Sequence, residues 1–334
     1  MASHRYTTHC RQGRVPRLAS GTVQCSDPVA RHHSHYSCPM DDLIPVKSPS
    51  RWFSLPALSL VTLILTGLHP LTAFAISVTR DEILTDHLLR PSGVAVAGDG
   101  SIWVANQGSC YQNSLAGCTV SATLQYLSTT GGINMTVKGF TSLSGVAVDS
   151  QGNAWVSDIG ANKVYHVTTR GIIDMVIIDP YLQAINAPIS VAVDSQDNVY
   201  VANRRDQATT NWSAKGTFMT YWKVNLNLMY LAVDAKDRLW IADAQNNVIR
   251  CLMCGISFPV QSKSAPRALG FDQDGNIWVA DYTYSRVTGY SPHGQPLTSV
   301  KVGVKFPTGI AFDAQGRLYV SNFTTNSVSV YSIQ

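Results

Sequence analysis

Between residues 93 and 322 the chain alternates short apolar runs with polar turn residues, and one such arrangement recurs six times. The copies are GVAVAGDGSIWVAN from Gly93, GVAVDSQGNAWVSD from Gly145, SVAVDSQDNVYVAN from Ser190, YLAVDAKDRLWIAD from Tyr230, ALGFDQDGNIWVAD from Ala268 and GIAFDAQGRLYVSN from Gly309. Their last residues lie 52, 45, 40, 38 and 41 positions apart. Branched and aromatic residues fill both runs of each copy, and no 3.6-residue period connects them, so the pattern predicts strands rather than helices. The turns between the runs, such as Asp149-Ser150-Gln151-Gly152, predict four-residue hairpin loops. The Asp is suited to bond the backbone two residues on, and the Gly supplies a positive φ. Asp197 and Asp237 stand at that Gly position in the third and fourth copies, and Ala97 replaces the capping Asp in the first, predicting the loosest turn there.

Two columns add packing information. The centre of the second run is Trp103, Trp155, Tyr200, Trp240, Trp278 and Tyr319, always aromatic, as a recurring gap between neighbouring sheets requires. The middle of the first run is Ala95, Ala147, Ala192, Ala232, Gly270 and Ala311, always small, as a sheet narrowing toward an axis requires. Each period leaves room for two further strands, for example Lys163 to Thr168 and Gly171 to Ile178. The fold class expected is all-β: a six-bladed β-propeller of four-stranded antiparallel blades over residues 76–334, with an open solenoid as the rival. The last copy has one strand too few, and Ala75 to Thr79 is the expected donor, pairing with Ser327 to Ile333.

The pattern P-x-G-[VI]-A-x-D-x-x-G-x-[IL]-[WY]-V-[AS]-[DN], seen at Pro307 to Asn322, resembles the NHL-type propeller repeat, and is similar to gluconolactonase-type and streptogramin-lyase-type propellers. The resemblance implies the architecture and leaves a choice between binding modules and enzymes. Streptogramin lyases pair a His with a Glu at the channel mouth, and gluconolactonase-type enzymes hold a divalent cation with a Glu among its ligands. In this sequence the blade entrances read as Ser92, Ser144, Ser190, Tyr230, Ala268 and Thr308, which departs from both.

The net charge of +4 changes the picture only at the N-terminus. Residues 76–334 carry 18 basic and 18 acidic side chains, so the excess belongs to the first 75 residues. There Lys47 and Arg51 precede an apolar run, Leu55 to Leu68, followed by Ala73-Phe74-Ala75. That order predicts a secretory signal peptide over residues 40–75, a membrane anchor at residues 55–75 being the rival. Residues 1–39 show no periodicity, and translation is expected to start at Met40. A secreted or otherwise extracytoplasmic location follows from that reading. Cys110, Cys118, Cys251 and Cys254 then predict two local disulfides, Cys110–Cys118 and Cys251–Cys254, with free thiols or a CxxC redox pair as alternatives.

The candidate chemistry is sparse. Beyond residue 75 the only histidines are His87, His166 and His293, and the only glutamate is Glu82. No catalytic residue, metal site or cofactor is therefore assigned. The six strand ends Asn106, Asp158, Asn203, Asp243, Asp281 and Asn322 converge around the channel mouth, either as backbone latches or, through the three Asp, as a ligand or calcium site. Together with Arg204, Arg205 and Tyr282 they form the candidate ligand-binding set. The expected function is a non-catalytic, monomeric binding module for a protein, peptide or glycan. An atypical lyase or lactone hydrolase is the alternative. Nucleic acid is not expected, because the neutral propeller offers only Arg204-Arg205 as a local basic cluster.

Overall fold

The computed structural model describes residues 76–334 apart from Asp86, residues 109–119, residues 179–184, Asn227 and Ser262. Residues 1–75, where a signal peptide is expected, and the Cys110–Cys118 pair therefore lie outside the described residues.

Among the described residues the chain is all strand and turn. Strand β1 is Val78–Leu84. Blade 1 is β2 Pro91–Val96, β3 Ile102–Asn106, β4 Ala122–Leu127 and β5 Ile133–Phe140, and blade 2 is β6 Leu143–Val148, β7 Ala154–Asp158, β8 Lys163–Val167 and β9 Ile173–Ile177. Blade 3 is β10 Pro188–Val193, β11 Val199–Asn203, β12 Ala208–Trp212 and β13 Phe218–Lys223, and blade 4 is β14 Leu228–Val233, β15 Leu239–Asp243, β16 Val248–Cys251 and β17 Ser257–Pro259. Blade 5 is β18 Pro266–Phe271, β19 Ile277–Asp281, β20 Arg286–Tyr290 and β21 Pro296–Val300, and blade 6 contains β22 Pro307–Phe312, β23 Leu318–Asn322 and β24 Ser327–Ile333. Every blade is a four-stranded antiparallel sheet in sequence order except the last, whose outermost strand is β1. The innermost strands touch in the closed cycle β2, β6, β10, β14, β18, β22 and back to β2. This is the expected six-bladed propeller, and a solenoid would leave that cycle open.

Ring closure uses a later segment than Ala75 to Thr79. The register runs from Val78 opposite Ile333 to Leu84 opposite Val328, so Val78 and Thr79 of the expected donor lie in the strand and Ser77 extends the pairing to Gln334. The sequence VTRDEIL hides the strand because an outer edge strand exposes both faces, and Thr79 to Ile83 are exposed.

The turns behave as their residues demand. Gly100, Gly152, Gly275 and Gly316 have φ between 77° and 86°, and Asp197 and Asp237 take the same left-handed region at 61° and 57°. The two Asp residues add a contact that Gly lacks. Asp197 accepts from the backbone N–H and the hydroxyl of Ser150 in the preceding blade, and Asp237 does the same with Ser195. In the first turn Asp99 takes the capping role that Ala97 leaves open, accepting from the N–H and hydroxyl of Ser101.

The aromatic column is the core. Trp103, Trp155, Trp240, Trp278 and Tyr319 are at most 1% exposed. Most of these side chains also reach back to the turn Asp six residues earlier. Trp240 and Trp278 donate Nε1–H to Asp234 and Asp272, and the Tyr200 and Tyr319 hydroxyls donate to Asp194 and Asp313. The same Asp thus caps a turn and satisfies a buried donor, removing the penalty of an unpaired polar group. Cys251 and Cys254 form the expected disulfide, closing the turn that ends β16.

Candidate functional site

Each innermost strand starts, and each second strand ends, at the same end of the propeller. The connectors between blades emerge there too, and this end is called the connector face. The first hairpin turns lie at the opposite end, the turn face.

Every innermost strand carries a β-bulge one residue in from its start, between Pro91 and Gly93 in blade 1 and between Pro266 and Ala268 in blade 5. A bulge inserts an unpaired residue and re-aims it. The equivalent positions at the mouth are therefore Ser92, Ser144, Ile189, Met229, Arg267 and Thr308. This corrects the sequence-based register in blades 3 to 5, where Ser190, Tyr230 and Ala268 were expected at the entrance. Arg267, the one charged residue of this set, is thereby brought to the channel mouth.

The hydroxyls of the inner ring stitch blades together. Ser92 donates to Leu143 O at 3.0 Å, Ser144 to Ile189 O at 2.7 Å and Thr308 to Pro91 O at 2.9 Å, while Ser190 Oγ accepts from Leu231 N–H at 3.0 Å. Tyr230 reaches across the axis from blade 4 to blade 1, donating its hydroxyl to Ser92 O at 2.8 Å. Burial pushes the Tyr230 phenol pKa far up, against the opposing pull of Arg267. The phenol therefore bars the channel as a neutral donor. Above it, the Arg267 guanidinium lies 3.5 Å from the Tyr282 ring centroid, and its Nε is buried without a hydrogen-bond partner among the described residues.

The six strand-end residues of the candidate ligand set are all buried, at 2% exposure or less. They face backbone amides of neighbouring loops. Asn106 accepts from Leu89 N–H, Asn203 from Asn186 N–H and Asn322 from Lys305 N–H. Asp158 accepts from the N–H groups of Thr141, Ser142 and Ala161, and Asp243 from those of Gln245 and Asn246. Asp281 accepts from Tyr284 N–H and from Arg286 Nε at 3.0 Å. The ring thus pins the connectors and the loops after the second strands. Arg204 and Arg205 stand exposed on one of these loops, and Tyr282 is half-buried on another.

The turn face holds a cavity of about 340 Å³ beside blade 2, with Asp149, Gln151, His166, Arg170 and Asp174 in its lining. His166 Nε2 is 3.0 Å from Asp149 and Nδ1 is 2.6 Å from Asp174, so both ring nitrogens are engaged by carboxylates. No group of three or more metal-ligating side chains with suitable geometry occurs among the described residues.

The turn carboxylates make stability pH-dependent. Hydrogen bonds from Ser101 and Ser195 hold Asp99 and Asp237 below the ordinary value of 3.8. For Asp149 and Asp234 burial pushes upward, and bonds from His166 and Asn153, and from Trp240 and two backbone N–H groups, outweigh it. A carboxylate whose folded pKa is depressed contributes stability that is complete above its unfolded value and lost as pH falls through the folded one. Asp281 has the opposite sign, because burial raises its pKa despite Tyr284 and Arg286. With four groups against one, the urea midpoint is expected to fall once pH drops below about 4, and Asp149→Asn should flatten the fall. A midpoint that holds or rises down to about pH 2 would refute this assignment.

With fold and mouth described, the class is a six-bladed β-propeller with a barred channel. Residues 256–324 match the model of the SMP-30/Gluconolactonase/LRE-like region. No curated protein matches the sequence. Among solved structures, a streptogramin B lyase aligns with a TM-score of 0.55 at 14% identity, covering 78% of this chain and 98% of that one. A selenomethionine-substituted virginiamycin B lyase from Staphylococcus aureus aligns at 0.55 and 16% identity, covering 78% and 87%. A catalytically inactive form of the Staphylococcus aureus virginiamycin B lyase, solved with quinupristin, aligns at 0.54 and 18%, covering 76% and 85%. The likeness extends around the whole ring and is one of fold.

Proposed function

We propose that this propeller is a non-catalytic binding module that engages a protein, peptide or glycan through its connector face. The observation that carries the reading is the division of labour at the mouth. The strand-end carboxylates and amides are buried as latches, the inner hydroxyls stitch blades, and Tyr230 bars the channel. What they leave for a partner is the layer above: Arg204, Arg205 and Tyr282 on pinned loops, and Arg267 at the bulge that opens β18. Such loops vary without disturbing the blades beneath them. One disulfide accords with an extracytoplasmic setting, and no helix among the described residues is long and apolar enough to cross a membrane.

The second reading, a lyase or lactone hydrolase, is favoured by the lyase-like fold and by the charged Arg267 at the mouth. A glycan and peptide array probed with the purified domain separates the two. Binding that is lost in the double variant Arg204→Ala/Arg205→Ala, at unchanged melting temperature, supports the binding module. Turnover of a streptogramin B or of a simple lactone, abolished by Arg267→Gln, would replace it with the enzyme.

A further inference from the structure

Residues 76–334 are formally neutral, with 18 charges of each sign, yet the fold sorts those charges along its axis. The first hairpin turns place Asp99, Asp149, Asp194, Asp234, Asp272 and Asp313 at the turn face. Asp197, Asp237 and Asp274 join them. Of the cations at that end, Arg238 and Arg317 are paired with Asp234 and Asp313 at 2.7 Å, and Arg170, Lys215 and Lys236 lie in the same set of turns, so these nine carboxylates outnumber five cations there.

The connector face is the reverse. The connectors carry Arg90, Lys263, Lys301 and Lys305, all exposed, and the start of β18 adds Arg267. The loop after the second strand of blade 3 adds Arg204 and Arg205. None of these forms an ion pair with a described carboxylate. Among the described residues the only carboxylate in these connectors and second-strand loops is Asp206. Asp86 and Asp179, which the sequence also places in connectors, lie outside the described residues. Asp158, Asp243 and Asp281 at the strand ends are buried and engaged. The face therefore presents cations around its rim, over blades 1, 3, 5 and 6.

A second feature gives this charge a shape. Arginines at this end are seated on aromatic rings. Arg267 lies over Tyr282 at 3.5 Å and Arg90 over Phe323 at 5.5 Å, while Tyr282 packs against Phe306 at 5.1 Å. Arg286 lies over Tyr284 at 5.3 Å, but its guanidinium is already paired with Asp281 and is not a free fork. A ring beneath a guanidinium fixes its plane and lowers the entropy lost when its fork meets an anion. Planar forks match carboxylate and sulfate groups. The same seating takes up ring faces that stacked nucleobases would need. Charge spread over several blades suits a polymer with repeated anionic groups better than one small anion.

We infer that the connector face binds an acidic polysaccharide, its uronate or sulfate groups meeting the ring-seated arginines and the surrounding lysines. The inference rests on the binding-module reading and names its partner class. The acidic turn face would repel the same polymer and confine it to one end.

The test uses the purified chain and immobilised polygalacturonate, with neutral pullulan, single-stranded oligo(dT) and phosphatidylglycerol vesicles as comparisons. Polygalacturonate is expected to bind, and to weaken with added salt. Arg90→Glu/Lys305→Glu should weaken it about tenfold or more, while Lys215→Glu/Lys236→Glu on the turn face should change it by less than about twofold. Melting curves that match the parent chain exclude unfolding as the cause. Equal losses from both pairs would overturn the inference, as would tighter binding of oligo(dT) or of the vesicles. If pullulan binds at this face and no polyanion does, the partner class is wrong and the binding module stands. If nothing binds and a lactone or streptogramin is turned over, both readings fall.

Discussion

Trp278→Ala is expected to be among the most damaging single substitutions in the propeller, costing about 3 to 5 kcal/mol. The side chain is fully buried between blades 5 and 6, in a cluster with Val287, Ile310 and Leu318. Its ring covers Gly289 on the neighbouring strand, where an added Cβ would lie 3.1 Å from the indole. Truncation therefore opens a void that the blades are too rigid to close. It also deprives Asp272 of the indole N–H it accepts at 2.9 Å, although Asn276 still bonds that carboxylate. For a domain of this size the melting temperature should fall by roughly 6 to 20 °C. Trp278→Phe keeps most of the buried area and loses only the donor, so it should cost about 1 to 2 kcal/mol. Denaturant melts of both variants check the pair. A loss below about 1.5 kcal/mol for the alanine form would show that the interface collapses around the gap.

The hairpins, the aromatic column and the closed ring were legible because each is written in residues close together in sequence. A strand alternates every two residues, a turn needs Gly or Asp at a fixed offset, and six repetitions of the pattern average out local noise. Three things were not legible. In blades 1, 2 and 6 a Gly (Gly93, Gly145, Gly309) follows the bulged residue and marks it, whereas Ser190, Tyr230 and Ala268 stand at that place in blades 3 to 5, so the sequence takes these for the entrance and hides Arg267. Aligning the Pro that opens blades 1, 3, 5 and 6, rather than the apolar run, would have found it. Tyr230 looked like a strand residue, and only the ring brings it to Ser92, 138 positions away. Finally, counting 18 basic against 18 acidic residues suggested a neutral surface. Antiparallel blades send alternate loops to opposite ends, so charges that cancel along the chain separate in space.

Removing Val78–Leu84 is expected to lower stability by about 3 kcal/mol or more, because β1 is the outer wall of a blade begun at the other end of the chain. It pairs with β24 over its whole length, and the pairing continues beyond the strand, where Ser77 and Gln334 exchange backbone hydrogen bonds of 2.8 and 3.0 Å. Leu84 is 6% exposed and packs with Tyr319, Val328 and Val330, so its loss alone accounts for about 1.5 to 3 kcal/mol. The rest comes from uncovering β24, whose N–H and C=O groups would form an open edge. At about 2 to 4 °C per kcal/mol, the melting temperature should drop by at least about 6 °C. The open edge should also promote association, which light scattering would detect. The exposed side chains of β1 contribute little by the same reasoning, so Glu82→Ser should stay within about 0.5 kcal/mol. A deletion variant that melts with the parent chain and scatters no more light would mean that β24 ends the blade unaided and that β1 does not hold the ring closed.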